Sequence, residues 1–329
     1  MDSSRRPADL LDRTLVVVRG GDREAALRAT GPIRLAPPME LSVAGAEANV
    51  AIGLARLGHR ARWVGRVGAD AFGALVLRTL RAEGVDTTHT HVDTDGRPTG
   101  LLVREDGIGD LASVHYHLER SAGSALRPED VLPALGPGTR VLHLTGITPA
   151  LGPSAARTVE AAAARARELG ITVSLDVNHR ARLWTQDRAR RTLLPLARTA
   201  DILIASADEL HLVADGPTLD EADTVTTLLD RGAREIVITR GAAGADVTTT
   251  RGTHHAPARH VPVVDVVGAG DAFVAGYLSA LLDHLTPEQR LHRATDTAAF
   301  AVATRGDWEG LPTRTDLTLL DTPTGTTLR

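Results

Sequence analysis

Short apolar runs alternate with amphipathic segments along most of this chain. Apolar side chains recur at helical spacing at Val50, Leu54 and Leu57, and Gly58 then predicts the end of that helix. Runs dominated by Val, Ile and Leu predict buried strands at residues 15–18, 141–145, 171–175 and 236–239. Strands that alternate with helices build a sheet covered by helices, so the pattern predicts an α/β fold.

Two segments interrupt this alternation with a different pattern. Residues 93–98 predict a turn, and residues 100–104 and 113–118 predict short strands. Together with residues 25–43, these strands are predicted to form a small β-sheet that closes over a site as a lid. The predicted units are an α/β core (14–24, 44–95 and 121–320), a β lid (25–43 and 96–120) and flexible termini (1–13 and 321–329).

Composition excludes several classes of protein. The 329 residues carry a formal net charge of -4, and three Trp, two Tyr and three Phe offer few rings for stacking bases, which argues against nucleic acid as a partner. No apolar run reaches membrane-spanning length, and residues 1–13 lack the apolar segment of a secretory signal. We therefore expect a cytoplasmic protein with no membrane partner.

The choice of basic residues excludes several mechanisms. All 37 residues in the lysine-plus-arginine count are arginine, and there is no cysteine. P-loop enzymes, protein kinases and Schiff-base enzymes require a lysine, whereas disulfides and thiolate catalysis require cysteine. An enzyme of this composition that transfers a phosphoryl group must neutralise it with backbone N–H groups, arginine and metal.

Candidate chemistry is concentrated in the glycine-rich turn from Asp265 to Asp271, which follows a predicted strand and enters a predicted helix. Gly268, Ala269 and Gly270 let the backbone approach a ligand, and the start of the helix favours an anion. Asp271 would repel a phosphate unless it takes the proton of an attacking hydroxyl, so the turn predicts phosphoryl transfer. The alternative is that Asp271 only caps the helix.

The segment from Asp265 to Phe273 closely resembles the ATP-site signature of the ribokinase-like (PfkB) carbohydrate kinases, Asp-x-x-Gly-Ala-Gly-Asp-x-Phe. The resemblance implies a three-layer α/β/α sandwich with a small β-sheet lid, a small-molecule sugar substrate, and ATP with Mg²⁺. It also implies that Asp271 is the catalytic base. Gly268, Ala269 and Gly270 would form, with Asp271, the anion hole for the transferring phosphoryl group.

A second glycine turn resembles the family signature Gly-Gly-x-x-x-Asn, in the form found in 2-keto-3-deoxygluconate kinases. Ala44 replaces the first glycine, and the resemblance implies that Gly45 and Asn49 hold sugar hydroxyls. From the residues alone, Asn49 could instead cap a helix. Gly21-Asp22 resembles a shortened form of the family's Gly-Glu, which would place Asp22 near the substrate, although a turn at a strand end has the same sequence character.

Further positions carry over from the same resemblance. Arg180 ends an Asp-x-Asn-x-Arg stretch and would reach the substrate, the alternative being an ordinary surface arginine. Ser206 and Glu209 match the family's Asn-x-x-Glu motif, with Ser in place of Asn, which implies that Glu209 acts indirectly on magnesium. The residues implied on the nucleotide side are Ser206, Glu209, Thr239, Gly241, Gly244, Gly268, Gly270 and Thr295.

The predicted lid departs most from 2-keto-3-deoxygluconate kinases. Leu102 stands where those enzymes typically have Tyr, and Tyr116-His117-Leu118 keeps only the first residue of their Tyr-Tyr-Arg group. Tyr116 therefore remains a predicted substrate-binding residue, whereas Leu118 cannot bind a carboxylate as Arg would. The prediction is an ATP-dependent kinase for a primary hydroxyl of a small sugar or sugar acid, with 2-keto-3-deoxygluconate as the first candidate.

Other interpretations remain open from the sequence. The altered residues also fit a kinase for a different sugar, polyol or nucleoside, or a weakly catalytic sugar- or nucleotide-binding regulator. His89 with His91, and His115 with His117, share strand faces as metal ligands do, but alternation on a solvated face explains them as well. Exposed lid strands could pair two subunits into a homo-oligomer.

Overall fold

The computed structural model describes residues 14–18, 24–29, 31–106, 112–216 and 220–321. Its strands are β1 (Thr14–Val18), β2 (Glu24–Ala29), β3 (Met39–Ala44), β4 (Arg60–Val64), β5 (Arg66–Gly68), β6 (His91–Asp93), β7 (Leu101–Asp106), β8 (Ala112–His117), β9 (Thr139–Thr145), β10 (Thr172–Asp176), β11 (Ile202–Ser206), β12 (Glu235–Thr239), β13 (Ala245–Thr249) and β14 (Gly252–Ala256). Its α-helices are α1 (Ala46–Arg56), α2 (Ala71–Ala82), α3 (Pro128–Val131), α4 (Ile147–Ala150), α5 (Pro153–Glu168), α6 (Gln186–Ala197), α7 (Glu221–Asp230), α8 (Ala269–Leu282), α9 (Pro287–Val302) and α10 (Arg314–Leu317). The predicted flexible termini lie outside the described residues, apart from residue 321.

Eight of the described strands form one sheet, in the order β14-β13-β12-β11-β10-β9-β1-β4. The strands from β12 to β4 run parallel, and β13 and β14 add an antiparallel edge. The carboxyl ends of the parallel strands lie at one edge, which is where open α/β sheets bind ligands. At this edge β10, β11 and β12 end with Asp176, Ser206 and Thr239.

Helices cover both faces of this sheet because its central strands are apolar on both sides. On one face, Leu203 and Ile236 belong to a core cluster with side chains of α5, α6 and α7. On the other face, Ile202 and Val237 belong to a second cluster with side chains of α1, α2, α8 and α9. The result is a three-layer α/β/α sandwich, which confirms the predicted α/β class. Within the described ranges, no helix is long and apolar enough to cross a membrane.

A second sheet has the order β3-β2-β7-β8, with β2 and β7 parallel and the outer pairs antiparallel. Its strands fall within the segments predicted as the lid, except for Glu24, the first residue of β2, and Ala44, the last residue of β3. Arg28 pairs with Arg104 across β2 and β7, and Leu27 pairs with Leu41 across β2 and β3. Because strand side chains alternate, the arginines lie on the face toward the main sheet and the leucines on the outer face. A short parallel pair, β5 and β6, lies apart from both sheets.

The starts of the helices differ in a way that matters for the site. Asp70 and Thr286 cap α2 and α9 with side chains that accept from Gly73 N and Gln289 N, as sequence preferences predict. By contrast, α1 and α8 begin after Gly45 and Gly268, which provide no side-chain cap. Both glycines have positive φ, at 129° and 77°. The first N–H groups of these two helices are therefore not covered by a capping side chain.

Candidate functional site

A cavity of about 620 Å³ lies between the second sheet and the carboxyl edge of the main sheet. Both sheets contribute to its wall, together with the starts of α1 and α8. Its lining includes ten of the residues singled out from the sequence: Gly45, Asn49, Tyr116, Arg180, Ser206, Glu209, Thr239, Gly268, Gly270 and Asp271. The structure thus brings together motifs that are far apart in the chain.

The glycine turn before α8 depends on Gly268. Its φ of 77° lies in the left-handed region, and a Cβ added there would collide with the backbone carbonyl of Asp307. A Cβ at Gly270, by contrast, would meet no neighbouring atom. Ala269 is the first residue of α8 and is not part of the cavity lining. The turn therefore exposes backbone to the cavity at a helix N-terminus, which suits an anion.

Asp271 and Asn49 contact each other in the wall of the cavity. Asn49 Nδ2 donates to Asp271 Oδ2 at 2.7 Å, and both residues are buried. Neither residue caps its own helix, because the N-cap of α1 is Gly45 and the N-cap of α8 is Gly268. The contact fixes the orientation of the Asp271 carboxylate through a residue of α1 that lies 222 positions away in sequence.

Further carboxylates surround Asp271. Burial raises the pKa of Asp176 well above its usual value, and the charges of Glu209 and Asp271 raise it further, whereas Arg180 acts in the opposite direction. Glu209 accepts hydrogen bonds from His179 N at 2.6 Å and Ser206 N at 3.2 Å. These bonds join the loop after β10 to the end of β11 and hold the carboxylate in the cavity wall.

The donor set fits a magnesium ion carried by a nucleotide better than a metal held by protein alone. Among the described residues there is no group of three or more His, Cys, Asp and Glu that could hold a metal ion. The charges of Glu209 and Asp271 nevertheless act unfavourably on Asp176 across one cavity, and a cation bound to phosphate would relieve that repulsion. The histidines at 115 and 117 lie on β8, where His115 Nε2 is 3.8 Å from Glu105 Oε2.

A charged network around Asp265 was not predicted from the sequence. Arg104 binds both oxygens of this buried carboxylate, at 2.9 and 3.0 Å, and Arg28 binds one of them at 2.9 Å. Burial acts to raise the pKa of Asp265, but hydrogen bonds from Arg104, Val267 N and Gly306 N outweigh burial and lower that pKa. No local sequence signal marks Arg28 or Arg104, since both look like solvated positions on short strands.

The loop after α9 closes another side of the cavity and was also missed. Glu309 accepts from Ser42 Oγ at 2.7 Å, and Trp308 Nε1 donates to Val43 O at 2.8 Å, so the loop is joined to β3. Asp307, which precedes Trp308 in the same loop, lines the cavity. Burial and the negative charges of Asp271 and Glu309 raise the pKa of Asp307 to about 7.

The pKa of Asp307 leads to a prediction about stability. Folding raises this pKa from about 3.9 to about 7, so the free energy of unfolding should fall as pH rises from about 4 to about 7. Asp307→Asn removes this contribution. The full shift would correspond to about 4 kcal/mol, but partial exposure of Asp307 to water reduces the expected difference between wild type and variant to about 1–2 kcal/mol.

Urea unfolding at about pH 5 and about pH 8 measures this difference. The exposed carboxyl of Asp95 provides the control, and Asp95→Asn should keep the wild-type pH dependence. A decline in stability that is equally steep in Asp307→Asn and in wild type would contradict the assignment.

Some of the singled-out residues lie away from the cavity. Gly241 and Gly244 lie in the turn after β12, outside the lining, and Thr295 is buried in α9 with its hydroxyl donating to His292 O at 2.9 Å. Asp22 lies outside the described residues. Of the two altered lid positions, Leu102 lines the cavity, whereas Leu118 is buried and is not part of the lining.

Comparison with known proteins identifies the family. Residues 17–314 match the pfkB family of carbohydrate kinases. The 2-dehydro-3-deoxygluconokinase of Thermoproteus tenax is 36% identical over 287 residues, which cover 86% of each chain. The fructokinase of Escherichia coli is 37% identical over 280 residues, covering 83% of this chain and 90% of that one.

A solved structure of a fructokinase is also similar to this chain. The fructokinase from Vibrio cholerae O395, in fructose, ADP and calcium ion bound form, matches with a TM-score of 0.81 at 30% identity and covers 93% of this chain and 98% of that chain. The predicted family and the predicted ribokinase-like α/β/α sandwich are thereby confirmed. The chain belongs to the pfkB family of carbohydrate kinases and is a sugar kinase.

Proposed function

We propose that this protein transfers the γ-phosphoryl group of ATP to a primary hydroxyl of a small sugar acid, 2-keto-3-deoxygluconate (2-dehydro-3-deoxygluconate). The observation that carries the proposal is the buried Asp271 carboxylate, oriented by Asn49 at 2.7 Å and placed in the first turn of α8 beside the glycine turn. A carboxylate next to an anion-binding turn suits proton removal from the nucleophile of a phosphoryl transfer.

In the proposed reaction, Asp271 accepts the proton of the sugar hydroxyl while that oxygen forms a bond to the γ-phosphorus and the bond to the β-phosphate oxygen of ATP breaks. The products are the sugar phosphate and ADP. The N–H groups at Gly268, Ala269 and Gly270, with the dipole of α8, stabilise the charge on the transferring group. Asn49 holds Asp271 and a sugar hydroxyl, and Gly45 lets the sugar approach α1.

The nucleotide lies along the carboxyl edge of the main sheet in this proposal. Ser206, Glu209 and Thr239 face the cavity there, and Gly241, Gly244 and Thr295 provide the outer part of the nucleotide site. Magnesium bound to the phosphates supplies positive charge that balances the transferring group. Glu209 and Asp176 are the protein carboxylates that would face this ion, Glu209 indirectly.

Arg180 is the residue we assign to the carboxylate of the sugar acid. Its side chain is exposed and lines the cavity, four residues after the end of β10. Tyr116 lines the same cavity from β8 and provides a further contact to the substrate. Because Leu118 is buried away from the lining, recognition of a carboxylate depends on Arg180 rather than on the lid position that carries arginine in other kinases of this substrate.

A neutral sugar is the second candidate substrate. Leu102 gives the lid side of the cavity an apolar position, and the fructokinase of Escherichia coli is as similar in sequence as the 2-dehydro-3-deoxygluconokinase of Thermoproteus tenax. A polyol, a nucleoside or a purely regulatory binding role remain the further alternatives. A binding module would gain nothing from the negative charge of Asp271 beside phosphate.

The experiment is ADP formation with ATP and Mg²⁺ across 2-keto-3-deoxygluconate, fructose, ribose and several nucleosides. We expect turnover of the sugar acid, and we expect Arg180→Ala to raise its KM by about 10- to 100-fold, since an ionic hydrogen bond contributes about 1.5–3 kcal/mol. Arg191→Ala, which removes an exposed arginine of α6 outside the lining, is the control and should leave KM near the wild-type value. Turnover of fructose alone would reject the sugar acid, and nucleotide binding without any turnover would favour the regulator.

The second sheet is the lid of the proposed site, with residues 25–43 and 96–120 as the lid and the rest of the described chain as the core. Met39 and Leu41 are exposed apolar side chains on β3, the edge strand of the lid. Exposed apolar strands favour pairing, so the lid is the surface through which we propose that two subunits associate. Sedimentation velocity tests this, and a monomer at micromolar concentration would contradict it.

A further inference from the structure

Two arginines of the lid reach the turn that begins α8. Arg28 on β2 and Arg104 on β7 are directly paired in register, so both leave the same face of the sheet. Arg104 bridges both oxygens of Asp265, and Arg28 binds one of them. The Asp265 side chain is only 2% exposed. This is an enclosed, bidentate ion pair between lid and core, unlike the screened ion pairs of a protein surface.

Asp265 transmits this contact to the backbone of the turn. Its carboxylate also accepts hydrogen bonds from Val267 N at 3.2 Å and Gly306 N at 3.3 Å. Val267 directly precedes Gly268, and Gly306 directly precedes Asp307, whose carbonyl packs against Gly268. The Asp265 side chain therefore holds the two backbone segments, at Val267 and at Gly306, that determine the position of Gly268.

We propose that Arg28 and Arg104 are positioning residues that couple closure of the lid to the geometry of the anion-binding turn, acting through Asp265. The inference rests on the proposed function, because it gives the turn the task of binding the transferring phosphoryl group. When the lid moves away, Asp265 loses both arginines. A buried carboxylate without a counter-charge is strongly unfavourable, so Asp265 must take up water or reorient, and its bonds to Val267 and Gly306 weaken.

The consequence is a protein whose catalytic turn is held in place while the lid is closed. Leu102 and Tyr116, on the same face of the lid as Arg28 and Arg104, line the cavity in which the proposed function places the sugar. A bound sugar therefore favours the closed lid, and the closed lid holds the turn in place for phosphoryl transfer. With the lid open, the turn is looser. Transfer of the phosphoryl group to water is then less efficient, because the turn no longer holds that group in place.

The chain offers a matched control for this coupling. Arg182 also joins the lid to the core, because it donates to Val114 O at 2.8 Å and to Ser113 Oγ at 3.1 Å on β8. Within the described part of the chain, Arg182 makes no hydrogen bond to Asp265 or to the turn. Arg182→Gln and Arg104→Gln each remove one arginine between lid and core, but only Arg104→Gln removes a partner of Asp265.

The first measurement is amide hydrogen exchange in the ligand-free, full-length protein. We expect Arg104→Gln to accelerate exchange at Val267 and Gly306 by about 10-fold or more, and Arg182→Gln to leave these two amides unchanged. In Arg104→Lys, exchange at these amides should be faster than in wild type but slower than in Arg104→Gln, since an ammonium group keeps the charge but cannot bridge both oxygens. Wild-type exchange in Arg104→Gln, or equal acceleration in Arg182→Gln, would overturn the proposal. Arg28→Gln removes a single bond to Asp265 and provides a milder variant if Arg104→Gln does not fold.

The second measurement separates positioning from substrate binding. With a sugar that the wild type phosphorylates, Arg104→Gln should lower kcat by about 10- to 100-fold and change the sugar KM by less than about 3-fold, because misplacement of the turn affects the transition state. An effect confined to KM would make Arg104 a substrate-binding residue and overturn the proposal. Because the exchange experiment uses no substrate, it decides the coupling even if no sugar of the panel is phosphorylated, which would reject only the proposed function.

Discussion

Asp271→Asn should lower turnover by about 100- to 10,000-fold while nucleotide binding is retained. An amide of the same shape cannot accept the hydroxyl proton, and general base catalysis contributes about this factor. The bond from Asn49 Nδ2 can still be made to the amide oxygen, so the geometry of the site is preserved. The variant should be at least as stable as wild type, because the charge of Asp271 acts unfavourably on Asp176 and Asp307.

Initial rates of ADP formation at saturating substrates, with the nucleotide Kd from calorimetry, measure this result. The control is Asp187→Asn, which removes an acidic residue from the first turn of α6, away from the cavity. That variant should keep the wild-type rate. A near-normal rate in Asp271→Asn would rule out Asp271 as the base, and lost nucleotide binding would show that the substitution had damaged the site as a whole.

Gly268→Ala should reduce both stability and turnover. A left-handed backbone costs an L-residue about 1–2 kcal/mol, and the new Cβ would also collide with the Asp307 carbonyl. We expect the free energy of unfolding to fall by about 2–4 kcal/mol. Relief of the collision must move the turn away from its position in the cavity, so kcat should fall by about 100-fold or more.

Gly84→Ala separates strain from collision in this experiment. Gly84 has a φ of 78°, nearly that of Gly268, but a Cβ there would meet no neighbouring atom. It should therefore cost only about 1–2 kcal/mol of stability and leave kcat unchanged. Urea unfolding and initial rates on both variants give the comparison. If the two variants lost the same stability and both kept full activity, the close packing of Gly268 against Asp307 would have no role in catalysis.

The sequence predicts the core of this protein well because the signals there are local. Parallel strands buried on both faces appear as runs such as 236–239, and helices appear as spaced apolar positions such as Val50 and Leu54. The glycines before Asn49 and Asp271 indicated that both residues lie at helix starts, but the contact between the two side chains was not predicted from the sequence. Glycine at a tight turn is a strong signal because few other residues adopt its backbone conformation.

The parts that the sequence did not predict depend on contacts between distant segments. Arg28 and Arg104 are polar residues on short strands, and only the placement of the second sheet shows that both point at Asp265, which lies 237 and 161 positions away. Asp307 lies in a loop without periodicity, and its raised pKa depends on burial and on charges from other segments. Thr295 was singled out by resemblance alone, whereas its hydroxyl is engaged within its own helix.

The hydrogen bond from Trp308 to β3 gives this protein an optical reporter. The other two tryptophans, Trp63 and Trp184, are buried, whereas the Trp308 indole donates to Val43 O and lies against Arg56. Indole emission is sensitive to its hydrogen bond and to nearby charge. Movement of β3 would break the hydrogen bond from Trp308 to Val43 O, so intrinsic fluorescence would follow opening of the proposed lid in real time, without any label attached to the protein.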